Sequence, residues 1–235
     1  MDRRPLVLGH RGASAAEPEN TRAAFARARA MGADGVELDV HRTADAVLVV
    51  HHDPHLESGE LILDQDFARL RSTYPDLPTL AEALDECRGM VVNVEIKCCA
   101  WDPDPDTSEH HVVRAVVETI RATDVEVIVS SFDMTNIDAC RVMAPELTTA
   151  WLTHDQELGT AATRAAEHGH TWLNPDRKRA LAAPAGEIRA VHEQGLSIAV
   201  WTVDAPDEIA ALAEAGVDAI ITNVPDVALE ALARL

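Results

Sequence analysis

One pattern recurs along the chain. A short apolar run rich in Val, Ile and Leu gives way to an Ala-rich amphipathic stretch, often closed by Gly, and then to another apolar run. Short continuous apolar runs suit strands buried on both faces, and the amphipathic stretches suit helices with one apolar stripe. The spacing predicts strands at Leu6–His10, Gly35–Val40, Val91–Lys97, Glu126–Ser131, Thr149–Thr153, Thr171–Asn174, Leu196–Thr202 and Asp218–Thr222. It predicts helices at Thr21–Met31, Leu80–Arg88, Glu109–Ala122, Asn136–Met143, Thr160–His168, Ala185–Gln194, Asp207–Ala215 and Asp226–Leu235. Gly32, Gly89, Gly169, Gly195 and Gly216 follow predicted helices, and Thr79 with Glu82 reads as a capping box. Eight strands alternating with eight helices predict an α/β protein, a (β/α)8 TIM barrel forming one domain over residues 1–235. A doubly wound open sheet is the alternative arrangement.

One segment breaks the alternation. Ala46–His51 reads as a strand, yet only His41–Asp45 separates it from the strand ending at Val40. A parallel crossover needs a dozen or more residues, so this pair is expected to form an antiparallel hairpin. The excursion would bring His52 and Asp53 back near Glu37 and Asp39. Residues 54–78 are expected to be a short irregular insertion on the same face.

Composition narrows the function. With 47% hydrophobic residues the chain can bury a sizeable core. Lys and Arg number 20 against 40 Asp and Glu, a formal net charge of −20. That balance argues against a nucleic-acid partner, which needs a basic face, and against stable association with an anionic membrane. Aromatics are only 3%, too few for a platform that stacks single-stranded bases. The apolar run Leu6–Leu8 is too short for a secretory signal, and no run is long enough to span a bilayer. Cys87, Cys98, Cys99 and Cys140 form no C-x-x-C pair, so they read as reduced thiols. A cytoplasmic location follows as the expectation; the oligomeric state stays open.

In such a barrel, chemistry sits at the C-terminal ends of the strands. The first strand ends in Gly9-His10-Arg11-Gly12. The second carries Glu37 and Asp39, two apart and therefore on one face, and the third carries Glu95 and Lys97 in the same relation. Three converging carboxylates repel one another unless a cation joins them, so Glu37, Asp39 and Glu95 suggest a hard oxygen site for Mg²⁺ or Ca²⁺. Arg11 and Lys97 beside it suit an anion, and His10 and His52 can exchange protons near neutral pH. Together these groups suit cleavage of a phosphodiester. Each alone has an ordinary reading: a packed or surface histidine, a solvated carboxylate pair, a barrel-lining ion pair between Glu95 and Lys97. Asp102, Asp104 and Asp106 mimic the start of a calcium loop, but Thr107 and Val113 stand where such a loop needs Gly and Glu. The loop Trp101–Ser108 after the third strand is expected to lie near the site.

Gly9-His10-Arg11-Gly12-Ala13, Pro18-Glu19-Asn20-Thr21, Gly32 to Val40, and Val49-Val50-His51-His52-Asp53 resemble the glycerophosphodiester phosphodiesterase family. Leu77-Pro78-Thr79-Leu80, Glu95-Ile96-Lys97, Ser131-Phe132, Trp201-Thr202-Val203-Asp204 and Thr222-Asn223-Val224-Pro225 are similar to its later motifs, in order. The resemblance implies a metal-dependent barrel enzyme that releases an alcohol and glycerol 3-phosphate from a small-molecule phosphodiester. By position it implies Glu37, Asp39 and Glu95 as ligands of one divalent cation, and His10 and His52 as the acid–base pair. It implies Arg11 and Lys97 as phosphate contacts, and Trp201 and Asn223 as pocket residues. The insertion lacks the Arg-x-Thr and Gly-x-Gly stretch of the family, and Asn223 stands where the family often has Asp. A lysophospholipase D or other phosphodiesterase of the same fold is the close alternative. A phosphate-binding barrel without catalysis is less consistent with two histidines, and an aldolase-type carbon chemistry is less consistent with Lys97 beside Arg11.

Overall fold

The computed structural model describes residues 4–98, 103 and 109–235. Arg3, Cys99 and, apart from Pro103, the loop Trp101–Ser108 with its three aspartates lie outside the described residues. The strands are β1 (Leu6–His10), β2 (Gly35–Arg42), β3 (Leu48–Val50), β4 (Val91–Ile96), β5 (Glu126–Ser131), β6 (Thr148–Thr153), β7 (Trp172–Pro175), β8 (Ser197–Val200) and β9 (Ala219–Thr222). The helices are α1 (Arg22–Met31), α2 (Phe67–Thr73), α3 (Leu80–Glu86), α4 (His111–Arg121), α5 (Met134–Met143), α6 (Leu158–Glu167), α7 (Arg177–Leu181), α8 (Glu187–His192), α9 (Pro206–Ala215) and α10 (Pro225–Leu232).

The hydrogen-bonded order is β1-β9-β8-β7-β6-β5-β4-β2-β3, and β1 also pairs with β2. That last pairing closes a cylinder of eight parallel strands and excludes the open sheet. The ninth strand, β3, pairs antiparallel with β2 through Val40–Val50, His41–Val49 and Arg42–Leu48. The expected hairpin is therefore present. The paired part of its second strand is shorter than Ala46–His51, and β2 runs on to Arg42 to meet it.

Alternation along the strands sorts core from chemistry. In β2, Val36, Leu38 and Val40 pack outward with Phe25 and Ala28 of α1. In β4, Val92, Val94 and Ile96 join the same cluster. The intervening residues, Glu37, Asp39, Asn93 and Glu95, face the barrel axis, because successive side chains on a strand point to opposite faces. A small apolar plug of Leu8, Ala199, Ala219 and Ile221 fills the interior beneath them. A second outer cluster, including Val7, Trp151, Leu173, Ile198 and Ile220, lies under α5 to α10.

Local signals behave as their chemistry requires. Thr79 and Glu82 form the reciprocal capping box at the start of α3. Thr21 caps α1 by accepting from the Ala24 amide. The insertion is more ordered than expected: it holds a 3-10 turn at Ile62–Asp64 and helix α2, which lean on a local cluster of Val49, Leu56, Ile62, Leu70 and Leu77. Helix α7 was likewise not expected. Both helices are short, with a single buried residue each, Leu70 and Ala180, so neither writes a helical period into the sequence. No helix among the described residues is long and apolar enough to cross a membrane.

Candidate active site

Strand β1 ends in a sharp turn. Arg11 and Gly12 adopt consecutive positive φ angles of 55° and 82°. A Cβ on Gly12 would lie 2.6 Å from the Ala24 carbonyl carbon, so the close approach of this turn to α1 needs glycine. The turn points the Arg11 amide at Glu37, whose Oε2 accepts it at 3.0 Å. The Arg11 guanidinium donates to Glu19 at 2.9 Å and lies 3.3 Å from Asp39.

Glu37, Asp39 and Glu95 converge as expected. All three are buried, and their carboxylate oxygens lie within 4.8 Å of one another. Lys97 inserts its ammonium 2.9 Å from Glu95 and 3.4 Å from Asp39. Asn20 donates to Asp39 at 2.8 Å, which leaves the capping of α1 to Thr21. Burial, then the charges of Asp39 and Glu95, pushes the Glu37 carboxyl well above the usual carboxylate range. Burial also pushes Glu95 up, to about 7, against the pull of Lys97. Burial would raise Asp39 too, but Lys97, Arg11 and His52 outweigh it and hold it below its ordinary value. Burial would lower Lys97, yet Glu95 and Asp39 keep its pKa raised.

The charge count shows what is missing. Three buried carboxylates face two cations, Arg11 and Lys97, and the half-exposed Glu19 takes a share of Arg11. The third charge must be neutralised by a proton, carried by Glu37 or Glu95, or by a further cation. Beside them Asn93 is 1% exposed, and both its amide oxygen and its amide nitrogen lack a partner. A buried amide with both ends free is costly, and a hydrated cation would satisfy it. An all-oxygen donor set of this kind fits a hard divalent ion.

The two imidazoles flank this cluster from different elements. His10, at the end of β1, places Nε2 4.0 Å from Glu37. Its Nδ1 lies 2.7 Å from the Asn223 side-chain oxygen. That oxygen also accepts from Ser14 at 2.8 Å, while the Asn223 amide nitrogen donates to Asp204 at 2.7 Å. Because Asp204 only accepts, the Asn223 orientation is fixed, and His10 carries its proton on Nδ1. Burial, and then the Arg11 charge, lowers the His10 pKa. His52 follows the hairpin strand, with Nδ1 2.7 Å from the Asp53 carboxylate.

These groups open on one cavity of about 440 Å³, lined by His10, Arg11, Glu37, His52, Glu95 and Lys97 on its polar side. Phe132, Leu152, His154 and Trp201 form the opposite wall. There the Phe132 ring stacks on His154 at 4.6 Å, and Trp201 meets both edge-on. Trp201 is therefore on the wall, as expected. Asn223 is not: it stands behind His10 and reaches the cavity through that ring. Asn93, His154 and Asp204 were missing from the expected set. Asn93 is two residues before Glu95 on the same strand face, and His154 directly follows a strand end, so both carried a signal. Asp204 carried its signal as the last residue of the Trp201-Thr202-Val203-Asp204 motif, although no role was read from it.

A barrel mouth with buried carboxylates, cationic side chains and imidazoles around one cavity marks an enzyme of phosphate-ester chemistry. The family follows from comparison. The model of the glycerophosphoryl diester phosphodiesterase family matches residues 10–227, and the chain belongs to that family of phosphoric diester hydrolases. Dependence on a divalent cation is a property of the family. The chain is 31% identical over 240 residues to a glycerophosphodiester phosphodiesterase of Caldanaerobacter subterraneus, covering 94% of this chain and 95% of that one. Among solved structures, a glycerophosphodiester phosphodiesterase from Thermotoga maritima is 26% identical with a TM-score of 0.84, covering 98% of this chain and 99% of that one. One from Parabacteroides distasonis is 25% identical with a TM-score of 0.86, covering 100% and 99%.

Proposed function

We propose that this enzyme hydrolyses glycerophosphodiesters to an alcohol and glycerol 3-phosphate, with Mg²⁺ or Ca²⁺ held by Glu37, Asp39 and Glu95. The observation that carries the reading is the uncompensated carboxylate beside two imidazoles on one cavity. When bound, the cation polarises a phosphoryl oxygen and offsets charge developing on it.

The chain's own residues do the rest. Arg11 and Lys97 draw the phosphodiester anion toward the carboxylates, the first with a planar fork and the second with a point charge. Glu19 and Asp39 hold the Arg11 guanidinium in place. His10 is neutral, with its proton on Nδ1 and a lone pair on Nε2 facing Glu37. Nε2 of His10 accepts a proton from the attacking water, whose oxygen forms the new bond to phosphorus as the bond to the leaving alkoxide breaks. His52, oriented through Nδ1 by Asp53, gives a proton from Nε2 to the leaving alkoxide. The Phe132, His154 and Trp201 wall excludes water and packs against the carbon skeleton of the substrate.

The test uses glycerophosphocholine and glycerophosphoethanolamine, with released glycerol 3-phosphate as the readout. Release should need Mg²⁺ or Ca²⁺, stop with EDTA and be absent in Glu37→Gln. Full release by that variant in chelator would overturn the site assignment. His52→Ala should recover most of its lost rate on a diester with an activated phenolic leaving group, and His10→Ala should not. The reverse pattern would exchange the two roles.

A further inference from the structure

A second cluster of metal-ligating side chains lies outside the catalytic mouth, toward the N-terminal ends of the strands. Asp138 comes from α5, His168 ends α6, and His170 precedes β7. We infer that Asp138, His168 and His170 form a binding site for a borderline divalent transition-metal ion of the Zn²⁺ type.

The geometry is that of a coordination shell. The donor atoms of the three residues lie within 4.8 Å of one another. The same Asp138 oxygen, Oδ1, lies 3.1 Å from His168 Nδ1 and 3.2 Å from His170 Nε2. Bonds of about 2.0–2.1 Å in a tetrahedron separate neighbouring ligands by about 3.3 Å, so these spacings need little adjustment. The two rings are near parallel, 13° apart with centroids 6.2 Å apart, and each turns a nitrogen toward the carboxylate. Gly169 makes this possible. It has φ 75°, and a Cβ there would lie 2.1 Å from the Arg141 guanidinium.

The surroundings prepare His170 as a ligand. Its side chain is fully buried, and its Nδ1 lies 2.9 Å from the Thr149 hydroxyl. In the metal-free chain Nε2 donates to Asp138 and Nδ1 accepts from that hydroxyl; when an ion takes the Nε2 lone pair, the hydroxyl turns to accept from Nδ1–H. Fixing the second nitrogen in this way is the usual support of a metal-bound imidazole. The Met134 sulfur lies 3.1 Å from Nε2 and adds a soft neighbour, which disfavours Mg²⁺ and Ca²⁺. Asp138 and His168 are each 38% exposed, so an ion can enter and keep a water. Asp138 supplies the negative charge. Arg141, which donates to the His168 carbonyl at 2.8 Å, works against it and limits affinity.

Without an ion, both imidazoles donate N–H to Asp138 and the group is a hydrogen-bonded cluster. Binding takes those two ring nitrogens as ligands and leaves the proton of each ring on its other nitrogen. The ion would tie the middle of α5 to the turn between α6 and β7.

The whole protein, saturated with Mg²⁺ to fill the carboxylate site, is titrated with Co²⁺ and then Zn²⁺. One equivalent of Co²⁺ should give the intense visible bands of a low-coordinate nitrogen site, Zn²⁺ should bleach them, and Zn²⁺ should raise the melting temperature. His168→Ala and Asp138→Asn should remove the bands and the thermal shift while hydrolysis with Mg²⁺ is unchanged. Glu37→Gln should keep both signals. Bands lost in Glu37→Gln but kept in His168→Ala would overturn the proposal in favour of the catalytic carboxylates. No bands and no shift in the unmodified protein would reduce the group to hydrogen bonds alone.

Discussion

Asn223 and His10, 213 residues apart, share a 2.7 Å hydrogen bond that fixes which imidazole nitrogen is free. Asn223 thereby acts on the cavity without lining it. Asn223→Ala should lower kcat by roughly 10-fold or more, within the span of a mispositioned base, with a much smaller change in KM. Asn223→Asp combined with Asp204→Asn, which puts a donor opposite the new carboxylate, should keep activity but move the acidic limb of the kcat/KM profile to higher pH, because a carboxylate at Nδ1 favours the imidazolium. Equal losses in kcat and KM in both variants, with an unmoved profile, would disprove the positioning role.

Lys97 is the counter-charge of two buried carboxylates, at 2.9 and 3.4 Å. Lys97→Met leaves Asp39 and Glu95 without it. Removing one partner of a buried pair costs about 3–5 kcal/mol, so the metal-free variant should melt far below the parent. A divalent cation should restore more stability to the variant than to the parent. Denaturant unfolding with and without EDTA measures both terms.

Glu95 gives a pH dependence of known sign. Its folded pKa is about 7 against an ordinary 4.5, raised by burial and by Asp39, with Lys97 and Arg11 opposing. The folded metal-free protein holds a proton that the unfolded chain has released. The stability this group adds is full below pH 4.5 and is lost as pH rises through 7. Glu95→Gln cannot titrate. The parent should therefore lose roughly 3 kcal/mol relative to the variant between those limits in EDTA. A flat difference across the window would contradict the buried, protonated state.

Protons and the cation compete for the same oxygens. The apparent affinity for the divalent ion should therefore rise from pH 6 to pH 8, since the proton held by the Glu37 and Glu95 pair must leave for the ion to bind. Calorimetric titration at the two pH values reads this directly, and proton uptake from buffer would have the opposite sign to that expected.

Much of this was legible in the chain. The barrel was written in the alternation of apolar runs and amphipathic stretches, and the hairpin in a gap too short for a crossover. Glu37, Asp39 and Glu95 were legible because strand parity forces residues two apart onto one face. Helices α2 and α7 were not, since a single buried residue makes no period. The Asn223–His10 bond was not, because pairing across 213 residues leaves no local trace. Asn93 was overlooked although the parity rule that found Glu95 applies to it equally.

Strand β2 alternates core and chemistry at every step: Val36, Leu38 and Val40 on one face, Glu37 and Asp39 on the other. A slip of one residue against β1 or β4 would exchange the faces completely, placing two carboxylates under the helices and three aliphatic side chains on the axis. The three-carboxylate site could not form in such a chain. The ion thus discriminates between correctly and wrongly threaded barrels, and a cation-rich refolding buffer would act as a proofreader of strand register as well as a supply of cofactor.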